Sequence, residues 1–226
     1  MKKKICILYS AHGRGFVNLA ERCATYSKQF IPKQCDLILH TDAEYKNKEK
    51  VFDDVVVEAN NYSKKKGHAY KIHGIITLLK NKKYEKILFI DSDAVILKND
   101  FMIPFDMLTE FDVVGVQANV PYGPSSREID SIGKFVKIPK NFTELNTGVL
   151  YLNTNETVLR LMKRWLNFFV KNYENHLDQG AFRYCLYTMK IKFQKIKKTF
   201  NWRNDIDENS IILHSRYNVN KFLKGA

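Results

Sequence analysis

The chain has 226 residues, 45% of them hydrophobic and 27% charged, a composition that supports a packed core and excludes a disordered or fibrous polypeptide. No apolar run approaches the ~20 residues of a membrane-spanning helix, and the apolar part of the basic start covers only residues 5–9, too short for a signal peptide, so a soluble, cytoplasmic protein is expected. A net charge of +13 favours polyanionic or phosphorylated partners, but the lysines are scattered and the aromatic residues do not interleave with them as a base-stacking platform requires.

Residues 4–10 read as a strand, and Phe16, Leu19, Ala20, Cys23 and Ala24 have helical spacing within 16–30. Strands are expected at 36–41 and 54–59, then a helix over 67–81 with Ala69, Ile72, Ile76 and Leu79 on one side. Residues 86–91, KILFID, are apolar on both faces, as in a covered parallel sheet. A short helix near 101–108 and a strand at 112–117 follow. Residues 118–143 hold Pro121, Pro124 and Pro139 with little periodicity, and long loops of this kind serve as lids or binding loops. After them come a strand at 145–153, a helix over 155–176 capped by Asn153 or Asn155, a helix over 178–190, and late strands at 191–196 and 210–215. This alternation predicts an α/β fold, a mostly parallel central sheet flanked by helices. No repeat or linker divides the chain, so 1–226 is expected to be a single domain. The four cysteines, Cys6, Cys23, Cys35 and Cys185, form no CxxC pair, which points to buried free thiols and against a zinc site.

The chemistry concentrates where residues 86–91 end. Asp91 and Asp93 are one residue apart at the carboxyl end of a central strand, where open α/β sheets bind their ligands. In an extended chain residues i and i+2 face the same side, so the two carboxylates repel, by ~4 kcal/mol at ~4 Å in a surface cleft. A divalent cation reverses that cost, and carboxylate oxygens suit Mg²⁺ or Mn²⁺. The same spacing recurs at Asp205 and Asp207, but in a polar stretch read as a turn. His214 also ends an apolar strand; it is either a hydrogen-bonded structural histidine or a third ligand, and its nitrogen would favour Mn²⁺.

Four stretches in order, ILFIDSDAVILKN, LNTGVLYLN, HLDQGAF and IILHS, resemble the glycogenin-like, family 8 glycosyltransferases of GT-A, Rossmann-like fold. The resemblance runs from about residue 4 to 221. It implies that Asp91, Asp93 and His214 hold Mn²⁺ (or Mg²⁺) against the diphosphate of a nucleotide-sugar, usually a UDP-sugar. It places the nucleotide against the first strand and its loop, with Tyr9 and Ser10 as the residues picked, though Tyr9 could equally be strand packing. Lys71 would contact donor phosphate or sugar, or be one more solvated lysine. Asn146 would bind sugar hydroxyls, and Gly148 would let the backbone approach the ligand. Asp178 and Gln179 would sit near the anomeric carbon, with Asp178 also a possible helix cap. The resemblance divides the domain into a nucleotide half, about 1–117, and a sugar and acceptor half, about 118–226, and implies retention of anomeric configuration. One departure is clear: after His214 the sequence SRYNVNK lacks the family's glycine, and Lys221 sits one step late, leaving Arg216 or Lys221 to meet the phosphates. The acceptor, whether glycan, protein or small molecule, has no signature. Two rival readings are a basic nucleic-acid-binding protein, resting on charge alone, and a metal-dependent nucleotidyl or phosphoryl transferase, which would want a further carboxylate for a second metal.

Overall fold

Seven strands form one sheet in the computed structural model, which describes residues 5–42, 45, 50–59, 61–62, 67–118, 133–139, 141–173 and 177–225. Strand β1 (Ile5–Ala11) lies between β2 (Cys35–Thr41) and β4 (Lys86–Asp91), with β3 (Asp54–Val57) at the edge beyond β2, and these four run parallel. Beyond β4 comes β7 (Leu145–Asn153), antiparallel to it, then β6 (Val113–Gln117) and the second edge strand β8 (Phe193–Ile196). The order is β3-β2-β1-β4-β7-β6-β8. A separate two-stranded sheet pairs β5 (Ala94–Ile96) with β9 (Ile212–His214). Among the described residues six helices flank the sheet: α1 (Arg14–Ser27), α2 (Gly67–Asn81), the single turn α3 (Pro104–Met107), α4 (Glu156–Phe168), α5 (Asp178–Thr188) and α6 (Arg216–Gly225). The α/β architecture expected from the sequence is the one observed.

The two-residue repeat of the strands sorts side chains into two cores. Cys6 and Leu8 of β1, Ile38 of β2, Ile87 and Phe89 of β4 and Leu150 and Leu152 of β7 pack against α2, α4 and α5. Ile7 and Tyr9, Leu37 and Leu39, Leu88 and Ile90, and Val149 and Tyr151 face the other way, against α1, α3, α6 and the small β5–β9 sheet. Both faces being covered explains why KILFID carries no polar alternation until its last residue. Among the described residues no helix is long and apolar enough to cross a membrane. All four cysteines are buried and unpaired with one another.

The differences from expectation are local. The first helix starts at Arg14, released by Gly13 at φ 73°, and its last turn, Lys28–Phe30, tightens to 3₁₀. The helix expected over 101–108 is a 3₁₀ turn, Asn99–Met102, and one α-turn begun by Pro104, whose ring suits a first helical position. Residues 94–96, which the sequence reading did not assign to a separate element, are a strand. The long helix is α-helical to Phe168 and continues as a π-turn, Phe169–Tyr173; residues 174–176 lie outside the described residues. So do 119–132 and 140, most of the loop expected over 118–143.

Asn155 is the cap of α4: its side-chain oxygen accepts from Val158 N at 2.9 Å, whereas Asn153 donates to the Leu108 carbonyl. Asn155→Ala is expected to lower stability by about 1 kcal/mol, seen as a lower denaturant midpoint at unchanged slope, while Asn153→Ala leaves the start of α4 intact.

Candidate functional site

Register places the site. Ser10 on β1 pairs with His40 on β2 and with Asp91 on β4, and all three fall on the α2 face of the sheet by the same alternation that buries Leu8, Ile38 and Phe89. After Asp91 the chain turns through Ser92 and Asp93 into β5, whose Ala94 lies opposite His214 of β9. That antiparallel pairing brings His214 over the acids: Nε2 is 3.4 Å from Asp91 Oδ2 and 3.6 Å from Asp93 Oδ1. Ligand atoms of all three residues lie within 4.8 Å of one another and could hold a metal ion.

The imidazole is oriented from behind. His214 Nδ1 is 2.9 Å from Asn201 Oδ1; because that oxygen only accepts, Nδ1 carries the proton and Nε2 faces the carboxylates. Burial by itself lowers the His214 pKa, but hydrogen bonds and charge from Asp91 and Asp93 raise it to about 8. Burial likewise works to raise Asp93, yet His214, helped by Arg203, holds it below its ordinary value. Gly148 makes room for the group, since a Cβ there would sit 2.0 Å from His214 Cε1 and 2.6 Å from Asp91 Oδ2. Its bareness admits these protein side chains, a reason the sequence did not supply.

A second charged group lies beside the first. Lys71, on α2, is buried, and its Nζ is 3.5 Å from Asp91 Oδ1, 3.3 Å from both the carbonyl and hydroxyl oxygens of Thr147, and 3.0 Å from Asp178 Oδ2. His68, one turn earlier on the same helix face, reaches Asp178 Oδ1 at 3.1 Å. Burial would raise the Asp178 pKa, but Lys71 and then His68 depress it far below the usual carboxylate range. Lys71 is in turn held above its ordinary value, because Asp178 and Asp91 outweigh its burial. The alternative of a solvated lysine is therefore excluded. Asp178 does not cap α5: it is the first residue of that helix, Leu177 precedes it as cap residue, and its carboxylate is taken by Lys71 and His68. Its backbone carbonyl accepts from the Trp165 indole at 2.9 Å, which ties the start of α5 to α4.

A hydrogen-bonded chain runs from Glu144, through the amides of Gln179, Asn146 and Asn201, to His214. Glu144 Oε1 accepts from Gln179 Nε2 at 2.6 Å, Gln179 Oε1 accepts from Asn146 Nδ2 at 3.3 Å, and Asn146 Oδ1 accepts from Asn201 Nδ2 at 2.8 Å. Asn201 then meets His214. Asn146 Oδ1 also accepts from Gly148 N at 2.9 Å.

The acid–histidine group and the Lys71–Asp178 pair line one cleft of about 550 Å³, with Glu144 and Asn201 behind its wall, and the volume is within the range of small-molecule sites. Of the residues predicted from sequence, Ser10, Lys71, Asp91, Asp93 and Asn146 line it, as do Gly148, Asp178, Gln179 and His214. Tyr9 does not. It points to the opposite face of the sheet, fully buried, with its hydroxyl 3.0 Å from the Ala94 carbonyl oxygen; the period-2 pleat that puts Ser10 in the cleft puts Tyr9 in the core. Lys221 does not either: it is exposed on α6 and paired with Asp205 at 3.0 Å, and Arg216 also lies outside the cleft lining. The cleft adds His12, Phe16, His68 and Arg203, which the sequence reading missed. His12 stacks on Phe16 with ring centroids 5.4 Å apart. The signal for His12 was the loop after β1, which was credited to the strand's own residues, and Phe16 reads from sequence only as part of the apolar face of the first helix.

Residues 50–200 match the nucleotide-diphospho-sugar transferase family. The chain belongs to that family. The matched span holds Lys71, Asp91, Asp93, Asn146, Gly148, Asp178 and Gln179 and stops short of His214. Among solved structures, the chain is similar to the galactosyltransferase LgtC in complex with donor and acceptor sugar analogues, with a TM-score of 0.61 at 12% identity over 97% of this chain and 95% of LgtC. It is also similar to the glycosyltransferase GlyE of Streptococcus pneumoniae TIGR4, with a TM-score of 0.57 at 11% identity over 89% of this chain. The chain spans about half of GlyE, 47% of its length. At these identities the likeness is one of fold. No curated protein sequence matches the chain.

Two outcomes follow from the electrostatics. In the metal-free protein the folded His214 pKa of about 8 exceeds the unfolded value of 6.5. Its stabilisation is therefore complete below pH 6.5 and lost as pH rises through 8, on the order of 2 kcal/mol. Thermal midpoints measured with a chelator present should decline across that window, and His214→Gln should flatten the decline. Lys71→Met strands the buried Asp178 charge and should cost about 3–5 kcal/mol in chemical denaturation at pH 7.

Proposed function

We propose that the protein is a metal-dependent glycosyltransferase of the glycogenin-like kind, moving a hexose from a UDP-sugar to an acceptor with retention of configuration. The observation that carries this reading is the convergence, in one cleft, of Asp91, Asp93 and His214 with the buried Lys71–Asp178 pair. Family membership supports the nucleotide-sugar donor. In this reading 1–226 is one GT-A domain, in which about 1–117 serve the nucleotide and about 118–226 the sugar and acceptor.

The residues fit a divalent ion. Two carboxylates and an imidazole form a mixed oxygen and nitrogen set suited to Mn²⁺, with Nε2 aimed inward by Asn201 and with Gly148 leaving the space. When bound, such an ion supplies Lewis-acid stabilisation to the departing diphosphate. The protein's own groups do the rest. His12 and Phe16 offer a flat aromatic surface for the base beside Ser10. Arg203, rather than Lys221 or Arg216, screens the phosphates. Asn146 and Gln179, already in register with one another, take the sugar hydroxyls. Asp178 keeps a full negative charge in a water-poor site, where it stabilises positive charge developing at the anomeric carbon. Lys71 holds that charge in place and links it to Asp91, so donor phosphates and sugar sit on one connected frame. Transfer breaks the bond between the anomeric carbon and the β-phosphate oxygen and forms one to the acceptor oxygen. The electron pair leaves with UDP, and the acceptor's proton is released.

The reading is tested by incubating the protein with UDP-sugars and Mn²⁺ and following slow release of free sugar, which needs no acceptor. Asp91→Asn with Asp93→Asn should reduce turnover by about a thousandfold, equivalent to ~4 kcal/mol of lost transition-state stabilisation. Undiminished turnover in that double variant, or in excess chelator, removes the metal from the mechanism.

A further inference from the structure

A second group of ligand side chains lies on the other flank of β1 from the acid pair. His40 on β2, Glu58 just beyond β3 and His73 on α2 converge: His40 Nε2 and His73 Nε2 lie 3.1 and 3.0 Å from the same oxygen, Glu58 Oε2. The ligand atoms of the three lie within 4.8 Å of one another. None has a part in the donor reading. We propose that His40, Glu58 and His73 bind a divalent transition ion of the zinc type, which pins the edge strand β3 and helix α2 to β2.

The ligand chemistry favours that ion. Two imidazoles and one carboxylate make a three-ligand zinc set with a fourth position open, and nitrogen-rich sites prefer zinc to magnesium or manganese. The acid-rich set at Asp91 has the opposite preference, so the two sites would sort different ions. The spacing fits as well. With metal–ligand bonds of ~2.0–2.1 Å, the edge of a tetrahedron is about 3.3 Å, within a few tenths of an ångström of the two separations to Glu58.

The rings and the carboxylate are held from outside, as ligands in built metal sites are. His40 Nδ1 is 3.0 Å from Ser10 Oγ, so its Nε2 is turned toward Glu58. The same ring stacks on Tyr70 at 4.4 Å, and it lies so close to Gly74 that a Cβ there would be 2.6 Å from Nδ1. The Thr77 hydroxyl donates to Glu58 Oε2 at 2.9 Å, and the Tyr70 hydroxyl donates to the Glu58 carbonyl at 3.0 Å. His40 is buried, while the Glu58 and His73 side chains are each 33% exposed, which gives an ion a route from solvent. There is also something to stabilise: β3 is a four-residue edge strand none of whose residues is fully buried, with Val55 and Val56 only partly buried against the two cores. The three ligands lie on separate elements with no short spacing, and for that reason the cysteine pattern alone spoke against zinc.

The test uses the full chain carrying Asp91→Asn and Asp93→Asn, so that the other ligand set is crippled and failure of the donor reading cannot be confused with failure of this one. Equilibrium dialysis should find one equivalent of Zn²⁺, with a raised thermal midpoint, and Co²⁺ should give the intense visible absorption of a four-coordinate site. Adding His73→Gln or Glu58→Gln, both at half-exposed positions, should weaken zinc binding at least about a hundredfold and abolish the cobalt band, with circular dichroism confirming that the variants are folded. The proposal is overturned if the double variant takes up no zinc, or if its zinc is retained unchanged after His73→Gln and Glu58→Gln.

Discussion

Two aspartates at the end of a covered strand repel one another, and the rest of the cleft is arranged around that repulsion. Within the protein the first counterweight is His214, delivered by the pairing of β9 with β5 directly after Asp93. Both acids act on its Nε2 and raise its pKa to about 8, which makes the imidazole a partial cation where a full one is wanted. A proton on Nε2 and a divalent ion would compete for the same lone pair. The glycine at 148 belongs to the same arrangement, since any side chain there would collide with both His214 and Asp91.

Lys71 is the second counterweight, and it serves two anions at once. Burying an ammonium is costly unless it is fully paired; here Asp178, Asp91 and Thr147 all lie within 3.5 Å of Nζ. The result is a rigid link from the strand end to the start of α5, on which the Trp165 indole also holds. Charge at Asp178 and charge at Asp91 are thus coupled through one side chain. A hydrogen-bonded chain from Glu144 through Gln179, Asn146 and Asn201 runs to His214, and Gln179 follows Asp178 directly in the chain. Asp178 Oδ2 meets only the Lys71 ammonium, at 3.0 Å, and the amides from Gln179 to Asn201 are each hydrogen-bonded to the next, which favours a preorganised cleft.

Position within the sheet explains why these groups meet. β7 runs against its neighbours, and its first residues, Asn146 to Gly148, therefore lie level with the carboxyl end of β4 instead of at the opposite edge. α2 crosses the same face, and its Lys71 and His68, one turn apart, point to the same carboxylate. The row of His40, Ser10 and Asp91 runs across three adjacent parallel strands, so the cleft and the cluster around Glu58 share a wall, with Ser10 between them. The nucleotide-diphospho-sugar transferase match covers the middle of this frame, and the histidine that completes the acid group comes from beyond it.

Local sequence determined the strands, the main helices and the strand-end position of Asp91 and Asp93, because those follow from periodicity and from an apolar run that stops at a charge. It also narrowed the α4 cap to two asparagines. What it could not decide depended on register and layering. Tyr9 and Ser10 are adjacent letters, and only pairing with β4 and the packing of α2 show which of them faces the cleft. Lys71 looked like one lysine among many until α2 laid it between two carboxylates. His12 and Arg203 carry no motif and enter the cleft from loops, while Phe16 reaches it from the first turn of α1, where its spacing read only as a helix face. The strand at 210–215 was legible but residues 94–96 are too short to be recognised as its partner, yet the antiparallel contact between them sets His214 against the acids. Contacts across more than a hundred residues of chain have no local signature, so that placement was the tertiary structure's alone to make.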